Sequence, residues 1–194
     1  MISYFENLLS TISSSLESIN EEEFNNLVED SVRTVKSGKK IIVSGLGKNV
    51  PICEKFVGTM SSLGLDTYFL HTNSAVHGDL GVVHKGDLVI ILTKSGETSE
   101  SVYLTKHLKK KNANLWLLSF CKESTLSKVI SKAVILNLDH EGDMWNIMPN
   151  NSTTLNLIVL QALAMEIAKR MEIKLEDFKE NHPGGHIGEL LNNE

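Results

Sequence analysis

The sequence predicts an α/β fold built on a parallel sheet. Short, almost wholly apolar runs recur along the chain, and the clearest is the run at residues 88–92, Leu-Val-Ile-Ile-Leu. Such runs are typical of parallel strands that are buried on both faces. Helical patterns alternate with these runs, and polar loops follow them. The alternation predicts right-handed crossovers, with ligands bound outside the carboxyl ends of the strands.

Five strands are predicted, at residues 41–43, 67–70, 88–92, 115–120 and 134–138. Helices are predicted at residues 51–63, 99–111, 124–131 and 152–171. Two amphipathic helices, over residues 2–19 and 21–36, precede the first strand, and we expect them to pack across the sheet or against another subunit. The helix at 152–171 is apolar nearly all round, which predicts burial in an oligomer interface. The glycine-rich tail around His182 is expected to be an irregular loop that presents the histidine.

Length and composition predict one domain. The 194 residues divide into N-terminal helices (1–37), an α/β core (38–172) and a C-terminal segment (173–194). The net charge of −5 argues against a nucleic-acid or membrane-surface binder. Neither a signal peptide nor a membrane-spanning apolar run is visible. Cys53 and Cys121 lie far apart without Cys-x-x-Cys spacing, which is typical of small core residues in a reducing compartment. A soluble, cytoplasmic protein is expected.

The loop at residues 93–98, Thr-Lys-Ser-Gly-Glu-Thr, joins a buried strand to a helix. Free backbone N–H groups, the positive end of the helix dipole and short hydroxyl side chains meet in such a loop, which makes it suited to an anionic group. The alternative is an ordinary strand-to-helix turn with Ser and Thr as capping residues.

The stretch Ser44-Gly-Leu-Gly-Lys48 does not fit the common nucleotide motifs. A dinucleotide fingerprint requires glycine where Val50 stands and an acidic residue where His71 follows the second strand. A P-loop requires four residues between its glycines and Ser or Thr where Asn49 follows the lysine. What remains is a glycine turn that presents Lys48 above the sheet; the alternative is a tight turn with a solvated lysine.

Histidines and carboxylates also follow the predicted strands. His71, His77, His182 and His186 lie in loops predicted at the same edge, where a histidine can transfer protons. The six-residue spacing of His71 and His77 is not a recognised zinc pattern, so a metal at His71 is the less favoured interpretation. The carboxylates are Glu97, Glu100 and Glu141, for which helix N-terminal charge or surface exposure is the alternative.

Five motifs together resemble the arabinose-5-phosphate isomerases of the SIS (sugar isomerase) domain superfamily. The resemblance covers about residues 5–190 and implies a three-layer α/β/α sandwich of the flavodoxin-like kind. The motifs are Gly45-Leu-Gly-Lys48, His77-Gly-Asp-Leu-Gly81, Ser95-Gly-Glu-Thr-Ser-Glu100, Pro149-Asn-Asn-Ser-Thr-Thr154 and His182-Pro-Gly-Gly185. The Ser-Gly-Glu-Thr loop is shared by the whole superfamily, whereas the two histidine motifs are specific to this isomerase branch.

The sequence departs from the family pattern at several positions. Asn49 replaces a usual serine, Thr93-Lys94 replaces Ser-Asn, and residues 142–148 lack the usual Cys-Pro-Leu-Gly-like sequence. Members usually continue into paired CBS domains, so this chain resembles a stand-alone isomerase domain. These departures bear on substrate identity more than on reaction type.

The resemblance implies interconversion of D-arabinose 5-phosphate and D-ribulose 5-phosphate through an enediolate, with no cofactor. It implies a catalytic set in which Glu141 moves the proton between C1 and C2, His182 opens the ring, Lys48 stabilises negative charge and Glu100 orients Lys48 or His182. The implied substrate-binding residues are Ser44, Gly47, His77, Ser95, Gly96, Glu97, Thr98 and Ser152.

The family also implies a homotetramer. Because the tail follows the last long helix, we expect His182 to complete the site of a neighbouring subunit. Alternatives to this function are a hexulose 6-phosphate isomerase of the same superfamily and a non-catalytic sugar-phosphate sensor.

Overall fold

A computed structural model of the chain describes residues 2–192. Its sheet contains five parallel strands in the order β2-β1-β3-β4-β5. In the register of the sheet, Ile41 lies opposite Thr67 on one side and Leu88 on the other. The strands are β1 (Ile41–Ser44), β2 (Thr67–Phe69), β3 (Leu88–Leu92), β4 (Asn114–Ser119) and β5 (Ala133–Ile135).

Eight α-helices are formed by the described residues. They are α1 (Ile2–Glu17), α2 (Glu21–Lys36), α3 (Asn49–Ser62), α4 (Ser99–Lys110), α5 (Thr125–Val129), α6 (Asn151–Arg170), α7 (Leu175–Glu180) and α8 (Gly185–Asn192). Two short 3₁₀ turns, Ala75–His77 and Asp79–Val82, lie between β2 and β3. Among residues 2–192, no helix combines the length and the hydropathy that a membrane crossing requires.

The sheet separates two apolar layers, which confirms the predicted three-layer α/β/α sandwich. Ile41, Val43 and Ile90 pack with α2, α3 and α6 on one face. Ile42 and Val89 pack with α4 and α5 on the other. Successive strand side chains point to opposite faces, so a strand with apolar residues at every position is buried on both sides.

The N-terminal helices pack on this same molecule. Ile12 and Leu16 of α1 and Phe24 of α2 contact the cluster that contains the buried face of α6. Helix α2 therefore packs across the sheet, as predicted, and α1 packs on α6 of the same chain. The opposite side of α6 is partly exposed in this chain, where the exposed fraction of Met165 is 51%.

Helix α3 begins at Asn49, about two residues before the predicted start, and Pro51 lies in its first turn as predicted. Proline is tolerated there because the first-turn N–H groups of a helix have no intrahelical partner. One local prediction is wrong. The tail is not an irregular loop: residues 185–192 form α8 after Gly185, whose φ is +68°. Gly188 permits this turn, since a Cβ there would lie 2.7 Å from the carbonyl oxygen of His182.

The order of the strands reverses between β1 and β3. From β1 the chain proceeds outward to β2, then crosses back to β3 and continues to β5. Loops that leave neighbouring strands at such a switch point diverge and open a crevice above the sheet. The loop with Lys48 follows β1, and the loop at residues 93–98 follows β3, so the two predicted anion loops flank this crevice.

Candidate active site

A cavity of about 340 Å³ opens at the switch point. It lies where three helices begin: Asn49 of α3, Ser101 of α4 and Ser152 of α6 all line it. Four of the predicted site residues line the cavity, namely Gly47, Lys48, Thr98 and Ser152. Helix N-termini carry positive partial charge and unpaired N–H groups, so their convergence favours an anion.

Lys48 supplies positive charge at the mouth of this cavity. It is exposed, and among the described residues no carboxylate lies within 4.0 Å of its ammonium. The turn that presents it depends on Gly47, whose φ of +59° is in the left-handed region, and on Gly45, where a Cβ would lie 2.9 Å from the Cβ of Asn49. Lys48 therefore adds its charge to the amino end of α3.

Glu141 lies behind the cavity wall, fully buried. Its Oε2 accepts hydrogen bonds from the backbone N–H groups of Asn150 at 3.0 Å and Ser152 at 2.9 Å, at the start of α6. Its Oε1 lies 2.6 Å from the ammonium of Lys94. That contact is a charge contact, because no donor among residues 2–192 makes an aligned hydrogen bond to Oε1.

The charge state of Glu141 follows from these contacts. Burial raises the pKa of the carboxyl, but the Lys94 ammonium and the amides of Ser152 and Asn150 favour the charged form and hold the pKa below its ordinary value. The site therefore contains a buried carboxylate that is ionised at neutral pH. Such a carboxylate can act as a base once a substrate proton comes within reach.

The loop after β3 is arranged by its own hydrogen bonds. The N–H of Gly96 donates to Oγ1 of Thr93, and the N–H of Glu97 donates to Oγ of Ser95. The Glu97 carboxylate accepts from the N–H of Thr125 at 2.8 Å and from its hydroxyl at 2.7 Å, which lowers the pKa of Glu97. Glu97 thus faces the start of α5, whereas Thr98 faces the cavity.

Other predicted residues do not line the cavity. Ser44 is buried, and its hydroxyl pairs with that of Thr72 at 3.1 Å. His77 is exposed at the end of its 3₁₀ turn. Glu100 is exposed in the first turn of α4, where hydrogen bonds from its own N–H and from the Ser99 hydroxyl hold its pKa below the ordinary value.

Two asparagines that the sequence analysis did not select also line the cavity. Asn156 is 1% exposed and its Nδ2 donates to Oδ1 of Asn49 at 2.9 Å. Within the described part of the chain, Oδ1 of Asn156 has no hydrogen-bond partner. A buried unpaired acceptor costs free energy unless a ligand pairs with it, so this oxygen suits a substrate hydroxyl. The signal available in the sequence was one asparagine, Asn156, inside the apolar stretch 155–160 of a helix that was predicted to be buried.

His182 lies far from the cavity of its own chain. Asn181 donates from Nδ2 to the carbonyl of Ser62 at 3.3 Å, which anchors the tail at the last residue of α3. Helix α3 begins at the cavity and has 14 residues, so its two ends are about 20 Å apart. His182 stacks on Phe178 with 4.0 Å between ring centroids, and its Nδ1 is 2.8 Å from the Phe178 carbonyl.

The less favoured metal site at His71 gains no support from its surroundings. Through Nδ1, His71 accepts from the N–H of Asn73 at 3.3 Å, and its ring packs edge-on against Phe69. Over residues 2–192, no group of three or more His, Cys, Asp and Glu side chains is arranged to hold a metal ion.

Known proteins are similar to this chain in sequence and in fold. Residues 35–166 match the SIS domain family. The chain is 35% identical over 152 residues to arabinose 5-phosphate isomerase KdsD of Escherichia coli, an alignment that covers 78% of this chain and 46% of that protein. The chain therefore spans about half the length of KdsD.

Solved structures agree with the sequence match. A protein of Escherichia coli CFT073 in complex with arabinose 5-phosphate has a TM-score of 0.84 and 30% identity, covering 93% of this chain and 94% of that one. A structure from Bacteroides fragilis has a TM-score of 0.88 and 27% identity, covering 96% and 99%. Because the family match includes more than half of the residues, this chain belongs to the SIS domain family.

Proposed function

We propose that this chain is an aldose–ketose isomerase that interconverts D-arabinose 5-phosphate and D-ribulose 5-phosphate through an enediolate. The cavity at the switch point carries the proposal, because Lys48 and three helix N-termini meet there beside the ionised Glu141. The similarity to KdsD and to the protein in complex with arabinose 5-phosphate supports this substrate. The proposed reaction moves a proton between neighbouring carbons and calls for no cofactor.

The phosphate is proposed to bind where α3 and α4 begin. Their N-cap residues, Lys48 and Thr98, make no side-chain capping hydrogen bond among the described residues. First-turn N–H groups without a cap can bind a phosphate oxygen, and Lys48 supplies charge. Ser44 and Ser95 remain proposed phosphate ligands, although neither lines the cavity. The Ser44 hydroxyl pairs with that of Thr72, whereas Ser95 Oγ accepts from the N–H of Glu97, which leaves the hydroxyl hydrogen of Ser95 available to donate.

Proton transfer is proposed to use Glu141, with Lys48 stabilising the enediolate oxygen. Glu141 has the required charge, because its contacts keep it ionised in spite of burial. The sugar is proposed to lie along the Asn49–Asn156 pair, where Oδ1 of Asn156 accepts a hydroxyl. Glu100 is proposed to orient Lys48 or the incoming His182, and His77 to contact sugar hydroxyls.

His182 is proposed to act in the cavity of a neighbouring subunit. It lies at the far end of α3, about 20 Å from the cavity of its own chain, which is too far for contact with a substrate there. A carbonyl oxygen only accepts hydrogen bonds, so the contact with Phe178 assigns the proton of neutral His182 to Nδ1. Nε2 then carries the lone pair: it can take the proton of the C1 hydroxyl and return it to the ring oxygen as the C1 carbonyl forms and the bond from C1 to the ring oxygen breaks.

A homotetramer is proposed because the family resemblance implies it and because a shared site requires at least two subunits. Apolar side chains that stay exposed on α1 and after β5 support a subunit interface. The largest exposed fractions there are 75% for Ile2, 67% for Leu9, 82% for Met144, 63% for Trp145 and 74% for Ile147. Contiguous exposed apolar side chains mark interaction surfaces. A cytoplasmic location is proposed as well, because Cys53 and Cys121 are free thiols.

The test is an NMR assay of the purified chain, dialysed against EDTA, with arabinose 5-phosphate and with a hexulose 6-phosphate. We expect turnover of arabinose 5-phosphate, and Lys48→Met should lower kcat by about 10²–10³, as for a lost oxyanion contact. Lys106→Met, an exposed lysine on α4, is the control and should keep full activity. Turnover of the hexulose phosphate alone would refute the substrate, and binding without turnover would indicate a sensor.

A further inference from the structure

We propose that Lys94 is a positioning residue that keeps the buried Glu141 carboxylate ionised, an inference that rests on the proposed role of Glu141 as the base. The Lys94 ammonium lies 2.6 Å from Oε1 of Glu141. The Lys94 side chain is 47% exposed, and the residue lines the cavity. Glu141 is fully buried and does not line it. Lys94 is therefore the charged residue that both lines the cavity and contacts the carboxylate, whereas Ser152 does so through its uncharged backbone N–H.

The two oxygens of Glu141 have different roles. A carboxylate oxygen has two lone-pair directions, and both of those on Oε2 are occupied by the N–H groups of Asn150 and Ser152. Oε1 receives no aligned hydrogen bond from the described residues. Oε1 is thus the oxygen whose lone pairs are not taken by backbone N–H groups, and the ammonium of Lys94 lies against it.

Lys94 is the one cation that pairs with this carboxylate among residues 2–192. On the loop of Glu141, Asp143 accepts from the backbone N–H of Trp145, and Nδ1 of His140 accepts from that of Gly142. Asp139 is the remaining charged residue of that loop. From α1, the Tyr4 hydroxyl donates to the carbonyl of Gly142, and the start of α6 contributes only uncharged groups.

The sign of the Lys94 effect follows from these surroundings. Burial favours the neutral carboxyl, and an opposite charge in contact favours the ionised form. If the ammonium is removed and the Glu141 carboxyl stays buried, the pKa of Glu141 should rise, so that the base becomes protonated at a higher pH. The amides at Oε2 would still orient the carboxylate, which separates loss of charge from loss of position.

The experiment compares Lys94→Met, Lys94→Arg and the surface control Lys106→Met with the wild type. The pH dependence of kcat/KM for arabinose 5-phosphate should show its acid limb moved to higher pH in Lys94→Met, with a loss of about tenfold or more at pH 6. Lys94→Arg keeps the charge and should restore most of the profile. Lys106→Met should leave the profile unchanged.

A second readout does not depend on activity. The carbon-13 carboxyl titration of Glu141, identified by its disappearance in Glu141→Gln, should move to higher pH in Lys94→Met even if no sugar phosphate is turned over. If Lys94→Met does not fold, Lys94→Gln takes its place, since its amide can still contact Oε1. An unmoved titration would overturn the inference. If the carbon-13 titration of Glu141 moves but the acid limb of the kcat/KM profile does not, the link between Lys94 and catalysis is overturned, and with it the role of Glu141 as the base.

Discussion

Gly96 occupies a position where a side chain has no room. Its φ is +69°, and a Cβ there would lie 2.1 Å from Oγ and 2.5 Å from Cβ of Ser124. Ser124 is itself fixed, because its hydroxyl caps α5 by accepting from the N–H of Ser127 at 3.1 Å. The loop after β3 can therefore approach the start of α5 only with glycine at this position.

We predict that Gly96→Ala lowers the free energy of unfolding by about 2–4 kcal/mol, the sum of left-handed strain and overpacking. Gly38→Ala is the matched control, since Gly38 has a φ of +68° but no described neighbour within 4 Å of the position that its methyl group would take. The control should lose about 1 kcal/mol through strain alone. Urea denaturation measures both, and equal losses would show that the Ser124 contact is unimportant.

At the scale of single residues, part of the site is predictable from the sequence. Gly47, Lys48, Thr98 and Ser152 were predicted and line the cavity, because each immediately follows a strand or begins a helix at the switch point. The sequence did not predict which way a loop side chain turns: Glu97 faces Thr125 instead. Lys94 and Asn49 were noted as departures from a family pattern, and Asn156 was not selected. The reason is that the Lys94–Glu141 and Asn49–Asn156 contacts join distant segments, so the sequence around each residue does not show its partner.

At the scale of the elements, Asp30 joins α2 to the sheet. Its Oδ2 accepts from Nδ2 of Asn114 at 3.1 Å, Nε1 of Trp116 at 3.0 Å and the ammonium of Lys132 at 2.7 Å. Asp30 is 7% exposed. Burial raises its pKa, but these donors outweigh the burial and hold the pKa below the ordinary value.

We predict that Asp30→Ala lowers the free energy of unfolding by about 2–4 kcal/mol, somewhat less than a fully buried pair because the Lys132 side chain is 45% exposed. A carboxyl with a lowered folded-state pKa stabilises the protein above its unfolded value and loses that effect as the pH falls through the folded value. The difference from wild type should thus be largest at neutral pH and shrink below about pH 4. Glu29→Ala, on the exposed side of α2, should change stability by less than about 0.5 kcal/mol.

The regular elements were the most predictable part of the fold. An unbroken apolar run such as Leu88–Leu92 is typical of a strand in a sheet that is covered on both faces. All five strands begin within about two residues of their predicted starts. Helix α8 was missed because Gly184, Gly185 and Gly188 lower helix propensity, and packing of Gly188 on the His182 backbone compensates for it. The division at residues 37 and 172 stays a prediction.

At the scale of the whole molecule, the cavity and His182 occupy opposite ends of α3. The C-terminal segment also exposes apolar side chains, with fractions of 56% for Leu175, 47% for Ile187 and 57% for Leu190. A second copy that covered these side chains would bring its own cavity toward the histidine. The proposed oligomer and the proposed role of His182 are thus linked, and one experiment can address both.

We predict that His182→Ala lowers turnover by about 10²–10⁴, as for a lost general acid or base, while the circular dichroism spectrum stays unchanged. Mixing it with inactive Glu141→Gln subunits should restore activity, because a shared site can combine His182 from one chain with Glu141 from another. After random exchange of equal amounts, about one site in four should contain both intact residues. The control mixes Lys48→Met with Glu141→Gln: both changes affect the same chain's cavity, so this mixture should stay inactive. If the His182→Ala mixture is also inactive after mass spectrometry has verified subunit exchange, His182 serves its own chain and the tail must move by about 20 Å to reach its cavity.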